Sequence, residues 1–289
     1  MDRLCDIARP CMAVMTNIGK AHIENLKTQE NILAEKLKIT RHFDRNGVLF
    51  LNGDDRLLSP LYHQLPFSTV TFGLDSGNDY YAEDISVNGF STEFVCRHGD
   101  QAVRLCIPAM GVHSIMNALA AFAVAQHLGL TEETIRRGLL TYRNAPMRQQ
   151  IHECRDFVLI DDSYNASPEA TKASLDVLRS AAGGSTIAVL ADMLELGEEG
   201  EGEHYRVGAH LAEIGIDMLL TVGPLSRHTA RGAGENGCSQ VFSFDSNDEA
   251  FDFLCGKLTK GCTVLVKGSR GMHTDEIVKK LLQAFPEMS

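Results

Sequence analysis

The chain has 289 residues, 44% of them hydrophobic and 22% charged, with a formal net charge of −11. That length accommodates two domains with separate cores, and the composition excludes a disordered chain. The acidity argues against general nucleic-acid binding, which draws on Lys and Arg to neutralise phosphates. No run of about eighteen apolar residues is present to span a membrane.

The N-terminus, Met1-Asp2-Arg3-Leu4-Cys5-Asp6, lacks the apolar core of a signal peptide, so a cytoplasmic protein is expected. The eight cysteines form no C-x-x-C pair and read as reduced thiols, not as a zinc site.

In chain order, residues 11–18 form a short apolar run ending in polar residues, as in a buried strand whose C-terminal end carries function. Thr28, with Glu30 and Asn31 next, opens a helix whose apolar face is Ile32, Leu33, Leu37 and Ile39, predicted to run to about Phe43. Asn46-Gly47 stops it, and residues 48–51 read as a second buried strand. Between Phe67 and Met110 the turn signals Gly73, Gly77, Asn88-Gly89 and Gly99-Asp100 separate the short runs 68–72, 91–96 and 102–107, which predicts antiparallel strands and hairpins. A helix over 113–129 follows, then one capped by Thr131 that runs to about Tyr142.

A boundary is expected near Ala145-Pro146, giving domains 1–146 and 147–289. Beyond it the rhythm is strand then helix: strands at 157–160, 186–190, 218–222, 240–244 and 263–266, helices at about 168–181, 201–214, 226–235, 247–258 and 273–284. Five such alternations predict an α/β domain with a doubly wound, mostly parallel sheet. Ligands of such sheets sit beyond the carboxyl ends of the strands, which here carry Asp161-Asp162-Ser163-Tyr164-Asn165, Asp192, Gly223-Pro224, Asp245-Ser246 and Lys267-Gly268-Ser269-Arg270.

Asp161 to Asn165 hold more polar groups than a helix cap needs, and a carboxylate there suits ribose hydroxyls while loop amides suit a phosphate. In Thr16-Asn17-Ile18-Gly19-Lys20-Ala21-His22-Ile23-Glu24, His22 and Glu24 are suitable ligands for a divalent ion; a surface loop is the plain alternative. Lys36 by composition is an ordinary helix lysine. Lys267-Gly268-Ser269-Arg270-Gly271 combines two cations, a hydroxyl and two glycines, a set suited to an anion. No G-x-x-x-x-G-K-[ST] phosphate loop and no G-x-G-x-x-G fingerprint opening the doubly wound half occur in the 289 residues.

Thr16-Asn17, Ala21-His22-Ile23-Glu24 and Glu35-Lys36 resemble the central domain of the Mur ligases. So do Gly111-Val112-His113-Ser114-Ile115-Met116-Asn117-Ala118-Leu119-Ala120-Ala121 and Met147-Arg148. Residues 160–168, the segment Leu190-Ala191-Asp192-Met193-Leu194-Glu195-Leu196-Gly197 and Val266-Lys267-Gly268-Ser269-Arg270 are similar to the family member that adds D-alanyl-D-alanine. The family usually has glycine where Ala191 stands and Asn where Ser114 stands. The Asp-Asn-Pro-Arg signature of the diamino-acid-adding member is not found.

The resemblance implies the remnant of a central ATPase domain followed by a Rossmann-like C-terminal ligase domain. It implies ATP and Mg2+ as cofactors, with UDP-N-acetylmuramoyl-tripeptide and D-alanyl-D-alanine as substrates joined through an acyl phosphate in peptidoglycan precursor synthesis. It makes His22 a magnesium ligand and Lys36 a lysine that becomes one when carbamylated. Asn117, beside His113, meets adenine; Arg148 and Asp162 meet phosphate and ribose. Tyr164 and Asn165 line the nucleotide and dipeptide side, and Lys267, Ser269 and Arg270 face the reacting groups. The family's UDP-sugar domain and its Gly-Lys-Thr phosphate loop precede the region matched here. On that ground the expectation is a fragment without useful ATP turnover, with a central sheet whose open edge allows self-association. Other Mur-like ligases, such as those adding glutamate to folates, and a non-catalytic nucleotide-binding or interaction module are the competing expectations.

Overall fold

The computed structural model describes residues 1–20 and 23–288. They divide into two compact units, one of Met1–Gly19 with Leu26–Arg143, the other of Lys20–Asn25 with Asn144–Ser289. The division falls a few residues before the Ala145-Pro146 boundary expected from composition. The short excursion 20–25, attached to the second unit, has no counterpart in the two-block reading.

The first unit opens with α1 (Asp2–Ala8) and β1 (Met12–Met15). After α2 (Ile23–Leu26), which begins in the excursion, comes α3 (Gln29–Leu37), started by the Thr28 hydroxyl accepting the Asn31 amide at 3.1 Å. That helix tightens into a single 3-10 turn at Lys38–Thr40, so it ends short of the predicted Phe43. Next are β2 (Val48–Asn52), β3 (Ser68–Gly73), β4 (Tyr80–Asn88), β5 (Ser91–His98) and β6 (Gln101–Ile107), then α4 (Val112–His127) and α5 (Glu132–Leu140).

The six strands form one sheet in sequence order, with β1 at its edge. Only β4, β5 and β6 pair antiparallel; β3 lies parallel to β2 along its length and parallel to β4 at two positions. The run 68–72 is therefore not part of a hairpin meander, although its spacing from the glycine turns suggested one. Burial explains the difference. Phe50 and Phe72 are fully enclosed and pack with Phe94 of β5 and with Leu119 and Phe122 of the α4 face, as parallel strands beneath a helix must.

The second unit holds β7 (Gln150–Glu153), β8 (Phe157–Asp162), α6 (Pro168–Ala181), β9 (Thr186–Ala191), α7 (Gly200–Glu213), β10 (Met218–Val222), α8 (Ser226–Glu235), β11 (Gln240–Phe244), α9 (Asn247–Cys255), β12 (Cys262–Lys267) and α10 (Asp275–Ala284). The sheet order is β11-β10-β9-β12-β8-β7, parallel except for β7, which pairs antiparallel with β8 at the edge. The strand-then-helix rhythm did not foresee β7. The chain steps outward from β9 to β11, then returns to lay β12 between β8 and β9. Helix α7 packs with both α6 and α8, while α9 packs with α10. Ala250, Leu254, Ile277 and Leu281 of the latter pair close on Leu159, Val189, Leu220 and Val264 of the strands.

Two glycines set the approach of α7 to α8. A Cβ on Gly208 would lie 2.0 Å from the Thr229 carbonyl oxygen, and one on Gly232 would lie 2.2 Å from that of Tyr205. Only glycine permits this backbone contact.

Candidate functional site

The strand order of the second unit reverses at β12, so the carboxyl ends of β8, β12 and β9 form a topological switch point. In-register neighbours of parallel strands point to the same face, and Lys267 of β12 is registered against Asp162 of β8. The Lys267 Nζ accordingly donates to Asp162 Oδ2 at 2.6 Å and to the Asn165 carbonyl at 2.9 Å, with Lys267 only 3% exposed. Asp162 is further saturated: Oδ2 accepts the Ser174 hydroxyl at 2.5 Å and Oδ1 accepts the Gln149 amide at 3.2 Å. Burial pushes the Lys267 ammonium below the ordinary lysine value, against the pull of Asp162.

Asp161 points to the opposite face and accepts the Ser163 hydroxyl at 2.5 Å; burial raises its pKa above the usual carboxylate value. Ser269 is buried as well. Its amide donates to the Asp192 carbonyl at 3.1 Å, and its hydroxyl accepts the Leu194 amide at 2.8 Å. Gly268 is required between these residues, because a Cβ there would stand 2.8 Å from the Ala191 Cβ and from Thr274. Asp162, Lys267 and Ser269 therefore form an internal polar platform bonded to the protein on several sides.

Above that platform lie four exposed side chains that the sequence singled out: Arg148, Tyr164, Asn165 and Arg270. The Arg148 guanidinium stacks on the Tyr164 ring at 4.1 Å from its centroid. Both neighbours of Arg148 are left-handed, Met147 at φ 63 and Gln149 at φ 49, a conformation that costs non-glycine residues about 1–3 kcal/mol each. Bonds hold it there: the Met147 carbonyl accepts the Tyr164 amide at 3.0 Å and the Gln149 carbonyl accepts the Asn144 side-chain amide at 2.8 Å. Arg270 reaches the same spot, with Nη1 3.7 Å from the Met147 sulfur and 3.5 Å from Asp275 Oδ1. Two guanidinium groups, an aromatic face and an amide on one edge make a donor set suited to an anionic ligand that carries a flat ring.

In the first unit, the backbone beyond β1 is pinned by side chains. Lys36 Nζ donates to the Asn17 carbonyl at 2.9 Å, Asn52 to the Thr16 carbonyl at 2.8 Å and Gln29 to the Ile18 carbonyl at 2.7 Å, while Asp55 accepts the Ile18 amide at 2.7 Å. Partial burial lowers the Lys36 pKa, opposed by Asp55. On α4, His113 and Asn117 are four residues apart and share one helical face, where Asn117 is exposed. The Ser114 hydroxyl is turned to the Met110 carbonyl at 2.8 Å. His22 lies outside the described residues. Among the described residues, no group of three or more His, Cys, Asp or Glu stands together to hold a metal ion. Nor is any described helix long and apolar enough to cross a membrane.

Sequence reasoning missed Ser174, a plain helix serine until β8 is seen beside α6, and Glu203 and His204 of α7. His204 is fully buried. Its Nε2 accepts the Met193 amide at 2.9 Å and its Nδ1 lies 2.7 Å from the Gly200 carbonyl, so it is a neutral ring with the proton on Nδ1.

Comparison with known proteins agrees with this architecture. The Mur ligase middle domain matches residues 1–125, and the Mur ligase glutamate ligase domain matches residues 147–270. The UDP-N-acetylmuramoyl-tripeptide--D-alanyl-D-alanine ligase of Bacillus subtilis (strain 168) is 34% identical over 98% of this chain and 62% of its own length. The Escherichia coli (strain K12) protein of that name is 31% identical over 95% and 61%. MurF from Acinetobacter baumannii superposes with a TM-score of 0.89 at 28% identity, covering 98% of this chain and 62% of that one. The MurF ligase from Thermotoga maritima in complex with ADP gives 0.85 at 26% identity, covering 98% and 64%. The chain thus spans about three-fifths of the length of the curated relatives it matches. With matched domains along most of its length and the fold of both in place, the chain belongs to the Mur ligase family.

Proposed function

We propose that the chain carries the nucleotide- and dipeptide-handling part of an ATP-dependent ligase that adds D-alanyl-D-alanine to UDP-N-acetylmuramoyl-tripeptide. The observation that carries this reading is the paired-guanidinium edge of Arg148 and Arg270, seated on the Lys267–Asp162 platform at the switch point. The names of the relatives supply the substrates, and the ADP in the Thermotoga maritima MurF structure supports a nucleotide.

In this reading ATP supplies the phosphoryl group that turns the tripeptide carboxylate into an acyl phosphate. The dipeptide amine then attacks the acyl carbon, loses a proton and expels phosphate. Two anions must meet, so cations are needed where charge gathers. Arg148 and Arg270 supply them, and the Tyr164 ring fixes the plane of the first. Asn165 faces the dipeptide. Asp162, Lys267 and Ser269 act beneath, by fixing the loops that carry the other groups. In the first unit Asn117 and His113 take the adenine side. Lys36 is suited to carbamylation, because a lowered pKa leaves more neutral amine to add to CO2. The magnesium role of His22 and Lys36 belongs to this reading through the family resemblance.

Calorimetric titration of ADP into the 289-residue chain tests it. Saturable binding that weakens in Arg148→Ala is expected. Heat of dilution only, in the wild-type chain, would overturn the proposal.

A further inference from the structure

The loop between β9 and α7 is bonded in two directions. At its start, Asp192 and Leu194 bond to Ser269, which ties the loop to the end of β12. Further on, the Glu195 carbonyl accepts the Glu24 amide at 3.3 Å, and Gly197 sits against the Glu24 side chain. Lys20 completes this second attachment. Its Nζ donates to Glu199 Oε2 at 2.5 Å and to Glu203 Oε1 at 2.6 Å.

The partners of Lys20 are not ordinary surface carboxylates. The Glu203 side chain is only 6% exposed and is shared with Arg206 at 2.7 Å, while Lys20 itself is 25% exposed. Burial opposes the Glu203 charge, but Arg206 and Lys20 together hold its pKa below the usual glutamate value. A buried carboxylate bonded to two cations fixes both of them, unlike an exposed ion pair. The Ile23 amide returns to the Lys20 carbonyl at 3.1 Å, so placing Lys20 places the N-terminus of α2.

We infer that Lys20 is a positioning residue: clamped by Glu199 and Glu203, it seats the start of α2 at Ile23 and Glu24 on the β9–α7 loop. The same loop carries the bonds to Ser269, so the start of α2 and the β12 end are held by a common bracket.

Hydrogen exchange of the full chain, read at the Ile23 and Glu24 amides, tests the clamp without any ligand. Lys20→Met is expected to speed exchange at both at least about tenfold while the amides of β10 stay unchanged. Lys20→Arg, which keeps two donors for the two carboxylates, is expected to restore protection. Glu203→Gln should speed exchange at the same two amides. Exchange in Lys20→Met within about twofold of wild type would overturn the inference, as would loss of protection that Lys20→Arg does not restore. ADP titrated in parallel judges the ligase reading separately: if the wild-type chain binds none, that reading fails and the exchange result still decides the role of Lys20.

Discussion

Lys267 and Asp162 are lateral neighbours on β12 and β8, 2.6 Å apart and almost closed to solvent. Breaking a buried pair from one side strands a charge and costs about 3–5 kcal/mol, more than the pair itself contributes. Lys267→Met should therefore lower unfolding stability by about that amount, while Lys267→Met with Asp162→Asn should recover a large part of it. Urea unfolding of the two single variants and the double variant measures the coupling. Additive losses would show that the pair is not the unit assumed here.

That pair also shows what the sequence makes legible and what it hides. Strand ends, caps and the parallel rhythm follow from local pattern: Met218–Val222, Gln240–Phe244 and Ser226–Glu235 fall where periodicity placed them. Which strand ends meet is a property of sheet order. Asp162 and Lys267 are both visible as polar residues ending strands, but their pairing needs β12 inserted between β8 and β9. With it, the two bond to each other and are buried, whereas Arg148, Tyr164, Asn165 and Arg270 of the candidate site are exposed. Ser174 and Lys20 were illegible for a similar reason. Glu203 is remote in sequence from Lys20, Asp162 lies on a different element from Ser174, and neither spacing nor composition marks these pairs. The parallel pairing of β3 was hidden too, because glycine turns mark chain reversals without telling which strand lies alongside.

His204 gives the fold a pH dependence of definite sign. Burial lowers its pKa from 6.5, and the neutral ring accepts the Met193 amide through Nε2. A group depressed on folding contributes fully above its unfolded pKa, and that contribution is lost as pH falls through the folded one. Stability should thus decline below about pH 6.5, as protonation sets a second donor against the Met193 N–H. Denaturant midpoints between neutral and mildly acidic pH should fall less steeply in His204→Gln than in wild type, although the variant starts lower. Equal slopes would assign the decline elsewhere.

The α7–α8 crossing sets a second limit on stability. The Cβ of Gly208→Ala must displace the Thr229 carbonyl, which belongs to backbone and cannot rotate away. Overpacking of this kind costs up to about 3 kcal/mol. Gly234→Ala on α8 meets nothing within 4 Å and, by gaining helix propensity, should be neutral to slightly stabilising. Thermal melts of the two variants discriminate a general intolerance of α8 from this specific contact.

Lys36 offers a chemical test in the first unit. Its amine is bonded to the Asn17 carbonyl and has a pKa lowered by burial. Adding CO2 to the neutral amine gives a carbamate and releases one proton. Equilibration with 13C-bicarbonate at mildly alkaline pH should yield a carbamate carbon resonance that is missing in Lys36→Arg, since a guanidinium stays protonated. A spectrum identical in the two proteins would remove Lys36 from the proposed metal site.

Arg148 is the residue on which the ligase reading is most directly exposed. It is held by stacking on Tyr164 and by flanking residues in left-handed conformations, and its side chain is exposed. Truncation should therefore leave the melting temperature nearly unchanged, since exposed side chains away from caps and cores contribute within about 0.5 kcal/mol. The cost should appear in binding instead, where loss of one phosphate contact weakens ADP about tenfold, or about 1.4 kcal/mol. Arg148→Lys should not restore affinity, because an ammonium neither stacks on the Tyr164 ring in a plane nor presents two parallel donors. Tyr164→Leu should produce a smaller loss by freeing the guanidinium from its plane. If Arg148→Lys binds ADP as wild type does, charge alone suffices and the stacked geometry has no part in recognition.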